Sequence, residues 1–142
     1  MFFPTELMRF SLRDVGGELL EPFITDSVLS AAAAQVNTDL QVTVGFSLLL
    51  QSVVASFQPG AAQNFTVVSV GLVPPDGTNF VELNLNRTAG AANVSGVLTW
   101  SGSVLVPPRW IIRASGAYNA GVANNITRLD AVGMLVPVAN TA

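Results

Sequence analysis

The side chains that could perform acid–base chemistry in this sequence are carboxylates, because the chain contains no histidine and no cysteine. A glycosidase-type reaction needs two carboxyl groups that face each other across a cleft. Asp76 and Glu82 are close in sequence, but Asp76 lies within Pro74-Pro75-Asp76-Gly77, where aspartate commonly serves the turn itself. The nine carboxylates are scattered: Glu6, Asp14, Glu18, Glu21, Asp26, Asp39, Asp76, Glu82 and Asp130. This pattern predicts no catalytic pair.

The motifs of other reaction types are also missing. The serines lie outside any Gly-x-Ser-x-Gly elbow and have no histidine to act as a base. The glycine-rich stretches are not followed by lysine, so no phosphate-binding Walker motif is present. Aspartate and asparagine in loops could supply oxygen ligands to calcium, but they do not follow the Asp-x-Asp pattern. We therefore predict a protein that is not an enzyme and has no cofactor.

The charge content limits the partners of the chain. All six basic residues are arginine, and the net charge is −3. So few cations cannot neutralise many phosphates, which argues against nucleic acid as a partner. Arg9 with Arg13, and Arg109 with Arg113, are spaced to share one face of a strand, and we expect ion pairs at subunit contacts with acids such as Glu6, Asp14 or Asp130.

No membrane segment is predicted. The N-terminal sequence lacks a cationic region followed by an apolar core, so we expect no signal peptide. The most apolar run covers residues 42–57 and is interrupted by Ser47, Gln51 and Ser52, which makes it too short and too polar to span a bilayer. Its alternation is typical of a strand instead.

Alternating strand patterns fill most of the chain. They cover residues 42–57, 65–73, 79–86, 96–106, 109–118 and 125–138. In the third of these we expect Val81, Leu83 and Leu85 to point inward, with Glu82 outward. In the fifth we expect Ile112 and Ala114 to point inward and Arg113 and Ser115 outward. Short strands separated by turns at this spacing predict an all-β fold, an antiparallel β-sandwich or barrel. Residues 26–35 could form one short helix, or an alanine-rich strand or linker. We divide the chain into an N-terminal arm or first hairpin, residues 1–25, and one sandwich domain, residues 26–142.

The Pro107-Pro108 pair predicts a corner between two strands, because proline cannot donate a ladder hydrogen bond. The tryptophans on either side, Trp100 and Trp110, fall in inward registers and are predicted to anchor the core rather than to form a ligand platform.

Two predicted strand faces carry no charge, which is unusual for a soluble monomer. One face comprises Thr43, Gly45, Ser47, Leu49, Gln51 and Val53, and the other Val97, Thr99, Ser101 and Ser103. We expect at least one of them to be covered by another subunit. The predicted interface residues are Arg9, Arg13, Ser47, Leu49, Ser101, Arg109 and Arg113.

The C-terminal 40 or so residues resemble small β-sandwich proteins of tailed-bacteriophage virions. The matching positions are Trp100, Val106, Pro107, Pro108, Trp110, Ile112, Gly133, Met134, Leu135 and Pro137. The resemblance implies a jelly-roll-like capsid decoration (cement) protein on the virion surface, commonly a homotrimer, that bridges capsomers of the major capsid protein. The alternative is a receptor- or carbohydrate-binding head of a phage spike or tail, or a free lectin-like domain.

Overall fold

Eight antiparallel strands build the part of the chain that the structure, a computed structural model, describes, residues 21–138. They are β1 (Glu21–Ala31), β2 (Gln35–Gln41), β3 (Phe46–Gln58), β4 (Phe65–Val73), β5 (Val81–Asn86), β6 (Gly96–Val106), β7 (Ile111–Tyr118) and β8 (Asn125–Pro137). The first sheet has the order β1-β8-β3-β6 and the second the order β2-β7-β4-β5. This is a jelly-roll-like sandwich, and it confirms the predicted fold class. Within residues 21–138, no helix is long and apolar enough to cross a membrane.

The core lies between the two sheets and follows the period-two alternation of the strands. From the first sheet, Leu48, Leu50 and Phe57 point inward and have no exposed surface. From the second sheet, Ile112 and Ala114 are equally buried. Because alternate residues of a strand point to opposite faces, the polar residues between them, such as Arg113, lie on the outside.

A bulge in β3 changes which of its residues face outward. The pairing of β3 with both neighbours shifts register between Leu50 and Ser52. The extra residue reverses the alternation, so Val53 is fully buried although simple alternation predicts it on the same face as Leu49. Thr43 and Gly45 precede β3 and lie in a loop. The uncharged outer face of β3 is therefore shorter than predicted.

The helix predicted as one possibility for residues 26–35 is wrong. Residues 26–31 belong to β1, residues 32–34 form the connection to β2, and β2 begins at Gln35, so the alternative of a strand or linker is confirmed. Asp26 and Ser27 pair with Asp130 and Leu129 of β8 instead of capping a helix. Of the arm predicted for residues 1–25, residues 21–25 form the start of β1. The remainder lies outside the described residues.

The Pro-Pro corner ends β6 at Val106, as predicted, and β7 begins at Ile111. Between them Arg109 has a positive φ of 68° and its backbone N–H donates to the carbonyl of Val42 at 3.1 Å. In return, the Val42 N–H donates to the carbonyl of Trp110 at 2.8 Å. Trp100 and Trp110 are partly buried against the core, which confirms their role as core anchors.

Asn125 forms hydrogen bonds to three loops at the opposite end of the sandwich, those that contain Ala33, Gly60 and Ala120. Its side chain is completely buried and accepts a bond from the Gly60 N–H at 2.7 Å. Its Nδ2 donates to the carbonyl oxygens of Ala33 at 2.8 Å and Ala120 at 3.0 Å. A buried amide is stable only when its polar atoms are bonded, so this residue holds the loops in one arrangement.

We expect Tyr118 to make the protein sensitive to alkali. The side chain is 4% exposed, and its hydroxyl donates to the carbonyl of Ile126 at 2.9 Å. Burial raises the pKa of Tyr118, whereas an unfolded tyrosine ionises near pH 10. Below about pH 10 the phenol is neutral in both states; above it the unfolded chain loses the proton first, so the free energy of unfolding falls until the folded pKa is passed.

Tyr118→Phe tests whether Tyr118 causes the loss of stability in alkali. No other side chain ionises near pH 10, because the chain has one tyrosine, no cysteine and no lysine. The variant loses a hydrogen bond and with it about 1 kcal/mol at neutral pH. Its urea midpoint should then stay level from about pH 8 to 11, while that of the parent protein falls above about pH 10. An equal fall in both proteins would assign the alkaline transition to another group.

Candidate binding cleft

The outer face of the second sheet carries a shallow cleft whose floor is built from two rows of residues that cross all four strands. In each row the neighbours are directly paired, so their side chains lie on the same face of the sheet. The first row is Asp39, Arg113, Gly71 and Glu82, and the second is Asn37, Ser115, Ser69 and Leu85. The cleft encloses about 320 Å³.

A connected set of hydrogen bonds fixes the polar side of this floor. The Ser115 hydroxyl donates to Asn37 Oδ1 at 2.8 Å and accepts from Gln35 Nε2 at 2.6 Å. The same Gln35 amide donates to Asn37 Oδ1 at 2.8 Å. Because the three side chains hold one another in place on paired strands, their remaining polar atoms occupy fixed positions on the surface of the sheet.

Arg113 and Asp39 form the strongest polar contact of the cleft. Arg113 Nε and Nη2 donate to the two carboxylate oxygens of Asp39 at 2.8 and 2.9 Å. This bidentate geometry is the most favourable for an arginine–carboxylate pair, and it raises the pKa of the guanidinium further. The ion pair lies within the chain, not with Asp130 or another of the acids that the sequence suggested.

The opposite side of the cleft is apolar. The ring of Phe80 lies against Gly71, where an added Cβ would come within 2.5 Å of its Cζ. Glycine at position 71 therefore lets the aromatic ring lie close over the sheet, with 37% of Phe80 exposed. Val67 and Leu85 continue this wall.

Leu85 does not point into the core as its alternation predicts. The pairing of β4 with β5 shifts register between Val70 and Gly71, where Val70 pairs with Asn84 and Gly71 with Glu82. Leu83 is left without a partner in this ladder and packs against the core. The shift places Leu85 on the outer face, where it lines the cleft.

The charges around the cleft cancel. Asp39 and Glu82 are balanced by Arg113 and Arg87, which line or border the same surface. Asp76 does not line it: its carboxylate accepts bonds from the backbone N–H and the hydroxyl of Thr78. These bonds lower the pKa of Asp76 and confirm the turn role expected for it. Within residues 21–138, no three acidic side chains group to hold a metal ion.

The residues predicted as an interface fall in separate places. Arg113 lies in the cleft and Arg109 at the Pro-Pro corner, so the two do not share a strand face. The corner separates them because β7 begins only at Ile111. Ser47, Leu49 and Ser101 lie on the outer face of the first sheet, where Leu49 pairs with Leu105 and Met134. Arg9 and Arg13 lie outside the described residues.

Sequence analysis missed Asn37, Ser115, Glu82 and Phe80 as members of one site. Each is an ordinary polar or aromatic residue without a motif, and they come from positions far apart in the chain. The available signals were the alternation of residues 109–118, which placed Arg113 and Ser115 on the outward face, and that of residues 79–86, which placed Glu82 there.

No protein-family model matches the chain, and no curated protein matches it. Among similar solved structures, dimeric latent PorU from Porphyromonas gingivalis has a TM-score of 0.49 and 11% identity, over 81% of this chain and 12% of that one. The structure of infectious bursal disease virus Gx strain has a TM-score of 0.45 and 12% identity, over 87% of this chain and 34% of that one.

A third similar structure is the C-terminal family 22 carbohydrate binding module of Clostridium thermocellum Xyn10B, with a TM-score of 0.42 and 19% identity over 87% of this chain and 88% of the module. This chain spans only 12% and 34% of the lengths of the first two structures. At these scores and identities the similarity concerns the β-sandwich fold alone. The chain is a jelly-roll-like β-sandwich.

Proposed function

We propose that this protein is a non-catalytic binding module that takes a neutral, hydroxyl-rich ligand of the carbohydrate class in the cleft of the second sheet. One observation carries the proposal: Gln35, Asn37 and Ser115 are held by mutual hydrogen bonds opposite the exposed ring of Phe80. A sugar presents hydroxyl groups at its rim and C–H groups on its faces. The side chains of Gln35, Asn37 and Ser115 can form hydrogen bonds with the hydroxyl groups. The ring of Phe80 can pack against the apolar face of the sugar.

The size and charge of the cleft narrow the ligand class. Its volume of about 320 Å³ is at the lower end of ligand sites, which span about 300–1,000 Å³, and suits one or two sugar rings. Because its two acidic residues are matched by two arginines, a charged ligand gains no net attraction. We therefore expect neutral sugars to bind better than uronic acids.

The test is titration calorimetry with neutral oligosaccharides of glucose, xylose, mannose and galactose, with a polyuronate oligosaccharide for comparison. In the variants Asn37→Ala and Phe80→Ala we expect the affinity for the best neutral sugar to fall about tenfold or more, which corresponds to about 1.4 kcal/mol. The matched control is Asn124→Ala, which removes the same amide from an exposed loop position that does not line the cleft.

Absence of millimolar binding by every neutral sugar would contradict the proposal. It would also be contradicted if Asn37→Ala and Asn124→Ala had the same effect, because binding would then lie elsewhere. Circular dichroism of each variant checks that its β structure is unchanged.

The second candidate function is a virion decoration protein that assembles as a homotrimer and bridges subunits of the major capsid protein. It is favoured by the outer face of β3 and β6, where Ser47, Leu49, Ser101 and the 59% exposed Leu105 form an uncharged surface. Cosedimentation of the purified protein with capsids of tailed bacteriophages tests it. Saturable binding would support this candidate, and absence of the protein from the capsid fraction would oppose it.

A further inference from the structure

The hydrogen bonds on the floor of the cleft fix which polar atoms of Asn37 remain free. Gln35 Nε2 uses both of its hydrogens, one on Asn37 Oδ1 and one on the Ser115 hydroxyl, and that hydroxyl donates its own hydrogen to Asn37 Oδ1. Asn37 Oδ1 therefore accepts two bonds, and the network uses neither hydrogen of Asn37 Nδ2. A rotated Asn37 amide would set its NH2 group against that of Gln35, so this orientation is fixed.

Arg113 adds further free donors close to Asn37. Of the five N–H groups of a guanidinium, the bonds to Asp39 use one on Nε and one on Nη2, so three remain. Arg113 and Ser115 lie on the same face of β7, and Ser115 pairs with Asn37 of β2. Arg113 and Asn37 are therefore diagonal neighbours, within reach of one ligand group. Their free groups are all N–H donors, so the group that they select is an acceptor.

An apolar contact lies one strand away from these donors. Arg113 pairs directly with Gly71 of β4, and the Cα atoms of such a pair are about 4.5–5.5 Å apart. The ring of Phe80 covers Gly71, and Val67 of β4 lines the same cleft with 39% of its surface exposed. A ligand group that reaches both sides must therefore carry an acceptor and an apolar end within one short unit.

The charges of the cleft favour a neutral acceptor. Asp39 and Glu82 match Arg113 and Arg87 in number. A carboxylate ligand would lose its hydration without gaining a net attraction, whereas a neutral carbonyl oxygen accepts the same N–H bonds at a smaller cost in hydration. A neutral carbonyl that carries a methyl group fits both the donors and the apolar contact.

We propose that the cleft selects sugars that carry an acetyl group. The acetyl carbonyl oxygen accepts hydrogen bonds from Asn37 Nδ2 and the free N–H groups of Arg113, and the methyl group packs against Phe80 and Val67. A sugar hydroxyl accepts the same bonds but has no methyl group, so it uses only part of this surface. The inference rests on the proposed function, because it names the class of sugar that the same cleft takes. An amide, as in an N-acetylated amino sugar, and an ester, as in an O-acetylated sugar, both present this carbonyl and methyl.

Titration calorimetry of the full chain with matched pairs of sugars tests the proposal. N,N′-diacetylchitobiose differs from cellobiose by an acetamido group in place of one hydroxyl on each ring, and mono-O-acetylated xylobiose differs from xylobiose by one ester. We expect the acetylated sugar of at least one pair to bind about tenfold or more tightly than its partner. The pair that shows this preference distinguishes the amide from the ester.

Asn37→Asp tests the donor directly, because it replaces only the free Nδ2 group by oxygen and keeps an oxygen that accepts from Gln35 and Ser115. We expect this variant to lose the preference for the acetylated sugar. The matched control is Asn124→Asp, the same change at an exposed loop position that does not line the cleft, and it should keep the preference of the parent protein. Circular dichroism checks that both variants are folded.

Saturation-transfer NMR of the parent protein gives a readout that does not depend on any variant. We expect the strongest transfer on the acetyl methyl protons, and equal transfer to methyl and ring protons would contradict the methyl contact. Equal affinities within both sugar pairs, or a preference that survives Asn37→Asp, would overturn the inference. The proposed function would still stand if the plain sugars bind in the cleft. Absence of binding by every sugar would contradict the proposed function and the inference with it.

Discussion

Phe57→Ala is expected to lower the free energy of unfolding by about 3–5 kcal/mol. Phe57 has no exposed surface and lies on β3, at the centre of the first sheet. Its ring reaches the second sheet, where a Cβ added to Gly116 of β7 would lie 3.0 Å from Phe57 Cδ1. Because both contact surfaces belong to paired strands, the space left by the ring cannot close, and the cost of a cavity adds to the lost burial.

Urea denaturation followed by circular dichroism measures this loss. The matched control is Val54→Ala on the outward side of the same strand, where Val54 is 38% exposed, and its expected effect is below about 1 kcal/mol. A loss of similar size for both variants would contradict the division of β3 into an inner and an outer face.

Ser47→Arg and Ser101→Arg are expected to convert an oligomer, a trimer in our proposal, into a monomer without changing the fold. Both residues lie on the outer face of the first sheet, Ser47 on the same strand as Leu49 and Ser101 on the same strand as Leu105. If this uncharged face is buried between subunits, an arginine placed there loses its water without gaining a carboxylate, which costs several kcal/mol. The free energy of association would then fall below that needed at micromolar concentration.

Sedimentation velocity of the parent protein and both variants gives the masses. The control is Ser95→Arg, the same change at an exposed loop position just before β6, and it should leave the mass unchanged. A parent protein that is already monomeric, and equally soluble with and without the arginines, would rule out this face as an interface. That result would leave the proposed sugar site untouched, because the cleft lies on the other sheet.

The sequence alone determined where most strands lie and where they end. Alternation predicted β7 with Ile112 and Ala114 inward and Arg113 and Ser115 outward, since successive side chains of a strand point to opposite faces. Pro107 predicted the end of β6 because it has no N–H to donate. These features depend on neighbouring residues only, so they can be read from the chain.

The tertiary structure decided on which face of their sheets Val53 and Leu85 lie, and which residues form the cleft. One extra residue in a ladder reverses the alternation after it, and nothing in the residue types of β3 or β5 marks where the register shifts. The partner of Arg113 is Asp39, 74 residues away in sequence, because β2 and β7 are neighbours in the second sheet. Which strands become neighbours depends on how two sheets bury their apolar faces together, and this is a property of the whole chain. For the same reason Asn37, Ser115 and Phe80 form one site only after folding.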